Sequence, residues 1–131
     1  YAYRFWRPIT AIRLADRDGN EATSPDAKWR PLLDGTPPHP EYPCGHCMSA
    51  AALGAVIAEE FGSTAPPIVL VDEDTMLRRF DTPQEFVDEV SLARLYGGVH
   101  YRFSINAGRD MGDKIGRFAV ERYFRRLPPS R

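Results

Sequence analysis

Residues 82–116 read TPQEFVDEVSLARLYGGVHYRFSINAGRDMGDKIG, and the periodicities in this stretch decide the fold class. Thr82 has the side chain of a helix N-cap, Pro83 suits the first helical position, and Glu85 completes a capping box. Phe86, Val90 and Ala93 are the expected buried stripe of that helix, and Gly97-Gly98 breaks it. A further helix is predicted from about Val99 to Arg126, stopped by Pro128-Pro129. Phe103, Ala107, Met111, Ile115 and Ala119 recur every four residues along it, with Gly108, Gly112 and Gly116 as an adjacent stripe. Glycine costs ~1 kcal/mol per position in a helix interior, so three at this spacing imply close helix approach.

Working outward, another helix should start near Cys44 or Gly45 and stop at Gly62. Ala50, Ala51, Ala52 and Ala55 make it thin, so neighbours can pack close. Between these helices, Ile68 to Val71 and Met76 to Phe80 flank Asp72-Glu73-Asp74 and suggest a small β-hairpin. At the other end, Phe5, Ile9 and Ile12 share one face of a helix expected from Tyr1 to Leu14, with Pro8 marking a start or a bend. A long polar connector, residues 15–43, contains Asp18-Gly19-Asn20 as a turn and the extended run Thr36-Pro37-Pro38-His39-Pro40. Structureless connectors of this length are uncommon in compact domains and are often functional. The expected fold is all-α, a helical bundle core with a small β-hairpin excursion. The whole chain, 1–131, is expected to be a single domain.

Seventeen Lys and Arg against eighteen Asp and Glu leave no basic excess, which argues against a nucleic-acid partner. The longest apolar stretch, Ala50 to Ala58, falls far short of the ~20 residues of a membrane span. The two cysteines, Cys44 and Cys47, lack a second ligand pair spaced for zinc, and Met48 rather than His follows Cys47, which rules out haem attachment. A thiol redox pair stays open. The chain is expected to be soluble, with its compartment unassigned and export left open.

Three patches carry chemistry: Arg7-Pro8, Pro43-Cys44-Gly45-His46, and Arg94 with His100 across the Gly-Gly break. Singly, each has a bland reading as a surface charge, a structural histidine or a helix end. Together they suit a tetrahedral oxyanion. Free N–H groups and the dipole at a helix N-terminus favour an anion at Gly45. Two guanidinium forks match its oxygens. Two histidines supply one nucleophile or ligand and one general acid-base. Arg94 and His100 are six apart and would diverge on one continuous helix, so the glycines must turn the chain between them.

These segments, with Ala93-Arg94-Leu95-Tyr96-Gly97-Gly98-Val99-His100 quoted in full, resemble the three signatures of the vanadium-dependent haloperoxidases. Those enzymes share a superfamily with bacterial acid phosphatases and type-2 phosphatidic acid phosphatases. The longer match from Thr36 to Pro43 looks closer to the haloperoxidase branch, and the resemblance covers about Tyr1 to Gly116. It implies vanadate as cofactor, with phosphate as an analogue, and hydrogen peroxide with halide as substrates, or a phosphate ester in a phosphatase. It implies that His100 is the vanadate ligand or the phosphate nucleophile and His46 the acid-base group. Arg7, Cys44, Gly45 and Arg94 would bind the oxyanion, and His39 would line the pocket mouth.

The sequence departs from the family pattern in three places. The first signature of the family is Lys, six residues, then Arg-Pro, which places the Lys one residue before Tyr1. Arg4 is expected near that helical face. Cys44 stands where the family has Ser, making a weaker donor that peroxide could oxidise, and Ala93 stands where it has Ser before Arg. The chain is therefore expected to be the C-terminal catalytic part of a longer haloperoxidase-like or acid-phosphatase-like protein, with a partner chain or second copy completing the bundle. The alternatives are an acid phosphatase working through a phosphohistidine, and an inactive oxyanion-binding or scaffold protein.

Overall fold

A computed structural model describes residues 3–72 and 75–124. Helices α1 (Pro8–Arg13), α2 (Gly45–Phe61), α3 (Pro83–Tyr96) and α4 (Arg102–Tyr123) carry the fold, with strands β1 (Ile68–Asp72) and β2 (Thr75–Phe80) between α2 and α3. The strands form an antiparallel hairpin, with Ile68 opposite Phe80 and an irregularity between Leu70 and Val71. The chain is thus helical with a small β-hairpin, as its periodicities imply. The expected helix start at Tyr1, the hairpin residues Glu73 and Asp74, and the end at Arg126 with Pro128-Pro129 lie outside the described residues.

The α2–α4 contact is the centre of the molecule. Gly108, Gly112 and Gly116 of α4 are buried against α2. A Cβ on them would stand 2.4 Å from the Cys44 carbonyl oxygen, 2.1 Å from that of Met48 and 2.5 Å from that of Ala52. Only a residue without a side chain lets the two backbones come this close. This settles which stripe of α4 faces inward. The buried face is Ser104, Ile105 and the three glycines. The four-residue apolar row points outward instead, with Phe103 47%, Met111 42% and Ile115 51% exposed. On α3 the buried positions are Val87 and Ser91. Phe86 and Val90 are half-buried and Ala93 is exposed, so the stripe is displaced by one residue from the expected set.

Two helix starts differ in kind. Thr82 Oγ1 accepts from the Glu85 N–H at 3.2 Å, the cap expected of the capping box, while Glu85 reaches back to the Asp81 N–H at 2.8 Å. The first helix does not run from the N-terminal segment. Tyr3 to Trp6 are not helical, and Arg7 is the α1 N-cap with φ −68 and ψ 154. A residue preceding proline is pushed out of the α region, so Pro8 can only open this helix. Arg4 therefore shares no helical face with Arg7.

The connector has one short 3-10 turn at Ala15–Arg17 and otherwise packs as an irregular strap. The Leu33 N–H donates to the Gly97 carbonyl at 3.2 Å. Gly98, at φ 74, has Trp29 and Pro31 close against it. The Gly-Gly break thus docks the connector as well as turning the chain. Among the described residues no helix is long and apolar enough to cross a membrane.

Candidate functional site

The turn at Gly97-Gly98 folds the chain back so that the Val99 and His100 N–H groups both donate to the Arg94 carbonyl at 3.3 Å. This brings residues six apart to one place, Arg94 in the last turn of α3 and His100 just before α4. Cys44 caps α2, its Sγ accepting from the Cys47 N–H at 3.2 Å. Gly45 and His46 are the first residues of that helix, where N–H groups have no intrahelical acceptor. A Cβ on Gly45 would meet nothing within 4 Å, so the approach to its backbone is open.

Arg7 crosses to this place from the N-terminal segment. It is 5% exposed, and His100 is 3% exposed. The Arg7 guanidinium donates from Nη1 to the Val99 carbonyl at 2.8 Å and to His100 Nε2 at 3.0 Å, and from Nε to the His39 carbonyl at 3.2 Å. The His39 ring lies against Nη2, its Nδ1 3.3 Å away. Arg7, His39, Gly45, His46 and His100 line one cleft of about 550 Å³, with Leu53, Phe86 and Val90 forming an apolar wall. That volume falls in the range of small-molecule sites and exceeds a single oxyanion.

Charge is concentrated here. Burial lowers the Arg94 guanidinium below its ordinary value. Burial also lowers Arg7, opposed by Glu41 and reinforced by Arg94. His46 sits at an exposed position, yet partial burial of its ring, then Arg94, His100, Arg7 and His39, hold it below the usual imidazole value. Arg94 is not among the residues that line the cleft, though its charge acts on both Arg7 and His46. Arg94 Nε is buried with no hydrogen-bond partner among the described residues.

Cys44 does not present a thiol to this cleft. It is fully buried and bonded to Cys47 in a disulfide, leaving no S–H to donate and no thiol for peroxide to oxidise. The expectation of a weak, oxidisable thiol donor is replaced by a cross-link that staples the first turn of α2.

One member of the cluster lies in the Thr36 to Pro43 run, where the family resemblance assigns it no role. Glu41 is fully buried, and its Oε1 accepts from His100 Nδ1 at 2.7 Å and from the Tyr101 N–H at 3.0 Å. Burial alone would raise its pKa; the bonds from His100 and Tyr101 prevail and hold it below the ordinary carboxylate value. Ser104 Oγ lies 3.4 Å from the Glu41 backbone carbonyl and supports the main chain there. The signal available in sequence was a lone carboxylate inside an otherwise uncharged run, residues 35–46.

The comparisons with known proteins agree with one another. The family model described as the VCPO second helical-bundle domain matches residues 1–128. A vanadium-dependent bromoperoxidase of Ascophyllum nodosum is 28% identical over 123 residues, which are 82% of this chain and 21% of that protein. The structure of the first bacterial vanadium-dependent iodoperoxidase superposes with a TM-score of 0.69 at 32% identity, over 88% of this chain and 26% of that one. A holo-type bacterial vanadium-dependent chloroperoxidase superposes with a TM-score of 0.65 at 23% identity, over 88% of this chain and 29% of that one, a likeness of fold alone. The chain thus spans under a third of the length of these relatives.

Proposed function

Because the chain belongs to the vanadium haloperoxidase family, in its second helical-bundle domain, we propose that it is the C-terminal catalytic part of a vanadium-dependent haloperoxidase, oxidising halide with hydrogen peroxide. The single observation that carries this reading is the convergence of Arg7, His46 and His100 on one cleft.

The donor set fits vanadate. It offers two guanidinium groups for the anion's charge, the N–H of Gly45 at a helix start, and an imidazole lone pair at His100 Nε2. Arg94 brings a buried donor that no protein group uses among the described residues. When bound, vanadate supplies a Lewis acid that makes peroxide electrophilic toward halide.

The residues of the chain have separable tasks. Arg7 donates to His100 Nε2, so with that lone pair occupied the same N–H would be free to donate to an oxyanion oxygen instead. Arg7 and Arg94 offset negative charge from opposite segments of the chain. His46, held neutral near pH 7 by its surroundings, accepts or returns a proton at its ring. His39 packs on Arg7 at the mouth of the cleft and tunes access of peroxide or halide. The Cys44–Cys47 disulfide leaves no free thiol at the α2 start for peroxide to oxidise, and it is also the state that a thiol redox pair would show.

The test is halide oxidation by peroxide after incubation with orthovanadate, run in parallel with phosphate ester hydrolysis. Vanadate-dependent oxidation of bromide or iodide, abolished in His100→Ala and strongly reduced in His46→Ala, is the expected result. Ester hydrolysis without halide oxidation would make the protein an acid phosphatase acting through His100. Absence of both activities would leave an oxyanion-binding scaffold.

A further inference from the structure

Glu41 lies in the Thr36 to Pro43 match with no role assigned to its carboxylate, yet it touches the residue on which the cleft's chemistry depends. Its main chain is held from two sides: its N–H donates to the Phe5 carbonyl at 3.2 Å, and its carbonyl lies 3.4 Å from Ser104 Oγ. Its Oε1 is held by the Tyr101 N–H at 3.0 Å. A carboxylate fixed this way has little freedom to follow its partner, so the partner must follow it.

That partner is His100. An arginine can only donate, so the 3.0 Å contact from Arg7 Nη1 makes His100 Nε2 an acceptor. A neutral imidazole with an accepting Nε2 carries its hydrogen on Nδ1, and Nδ1 stands 2.7 Å from Glu41 Oε1. The order is cation, imidazole, anion, so the buried carboxylate's charge is balanced through the ring by Arg7. Histidines that bind metals commonly depend on a partner of this kind at the other nitrogen.

We propose that Glu41 is the positioning residue of the site, fixing His100 as the Nδ1–H tautomer and aiming its Nε2 lone pair into the cleft. The proposal rests on the oxyanion reading only for what Nε2 then binds.

The test reads the tautomer and the affinity separately. Nitrogen-15 NMR of the three imidazoles, assigned through single His substitutions, reports which nitrogen of His100 is protonated. Titration with orthovanadate reports binding. The wild-type protein should show the Nδ1–H form. Glu41→Gln keeps an oxygen for both donors and should retain that form, with orthovanadate affinity within a few-fold of wild type. Glu41→Ala should shift the ring toward the Nε2–H form and weaken orthovanadate binding on the order of 10–100-fold. If Glu41→Ala fails to fold, Glu41→Met, which fills the space without accepting a hydrogen bond, takes its place. An Nε2–H ring in the wild-type protein would overturn the proposal. So would an alanine or methionine variant that keeps the Nδ1–H form and wild-type affinity, since a merely structural carboxylate would change stability alone. A wild-type protein with the Nδ1–H form that binds no orthovanadate supports the role of Glu41 and counts only against the oxyanion reading.

Discussion

At the scale of single residues, the field around His46 has a measurable consequence. Partial burial and then Arg94 hold its imidazole below the usual value of about 6.5. The unfolded chain therefore takes up this proton at higher pH than the folded one. Between the lowered value and about 6.5, stability should rise with pH, because there the unfolded state binds more protons. Arg94→Gln removes the second cause, so the His46 titration followed by NMR should move back upward in this variant; an unmoved titration would show that Arg94 does not act on His46. His39 gives a second prediction. Its carbonyl holds Arg7 Nε and its ring covers Nη2, so His39→Ala keeps the first contact and loses the second. Relative turnover of iodide and bromide should change while orthovanadate affinity stays nearly intact, and unchanged kinetics for every halide would remove His39 from the account. The patches were legible in sequence because Arg7 and His46 adjoin Pro8 and Gly45, and Arg94 and His100 flank the Gly97-Gly98 break, so each lies at a helix boundary. Glu41 was not, because it lies in a proline-rich run without periodicity, and its burial exists only once the connector is folded onto α4.

At the scale of elements, the glycine row of α4 separates packing from helix propensity. Propensity alone favours alanine over glycine by ~1 kcal/mol. A Cβ on Gly112 would stand 2.1 Å from the Met48 carbonyl oxygen, a backbone atom that cannot move aside alone. Overpacking of this kind typically costs ~1–3 kcal/mol, so Gly112→Ala should lower stability by about 2 kcal/mol in urea unfolding. Gly45→Ala is the control, since the space around it is open. It should unfold like wild type while weakening oxyanion binding at the α2 start. Equal stability of both variants would contradict the close α2–α4 contact. The capping box of α3 and the Gly62 stop of α2 could be read directly, since both are local. The close approach of α4 through its glycine row was legible too, since three interior glycines are costly unless a neighbouring backbone needs the space. What sequence left open was the fate of the apolar row beside it, which the contact with the thin alanine surface of α2, far away in sequence, turns outward. The sequence leaves the start of α1 open, because the periodicity of Phe5, Ile9 and Ile12 runs back past Pro8 while Pro8 permits either a start or a bend; the extended backbone of Arg7 makes it the start.

At the scale of the whole molecule, α4 carries Phe103, Met111, Ile115 and Phe118 at 42% to 52% exposure along its outward face. Contiguous apolar surface of this sort marks an interaction surface or an aggregation liability. The chain by itself should bind a hydrophobic dye and self-associate with rising concentration in sedimentation experiments. Met111→Glu combined with Ile115→Lys should suppress both without loss of helicity. A wild-type chain that stays monomeric and dye-free would mean that this face needs no cover. The central claim is that segments from three parts of the chain build one oxyanion site. It is tested most directly by a crystal structure of the protein grown with orthovanadate. The account predicts density for one oxyanion bonded at His100 Nε2, with Arg7, Arg94 and the Gly45 N–H on its oxygens and His46 facing it. A well-ordered cleft without such density, or an anion bound away from His100, would contradict it.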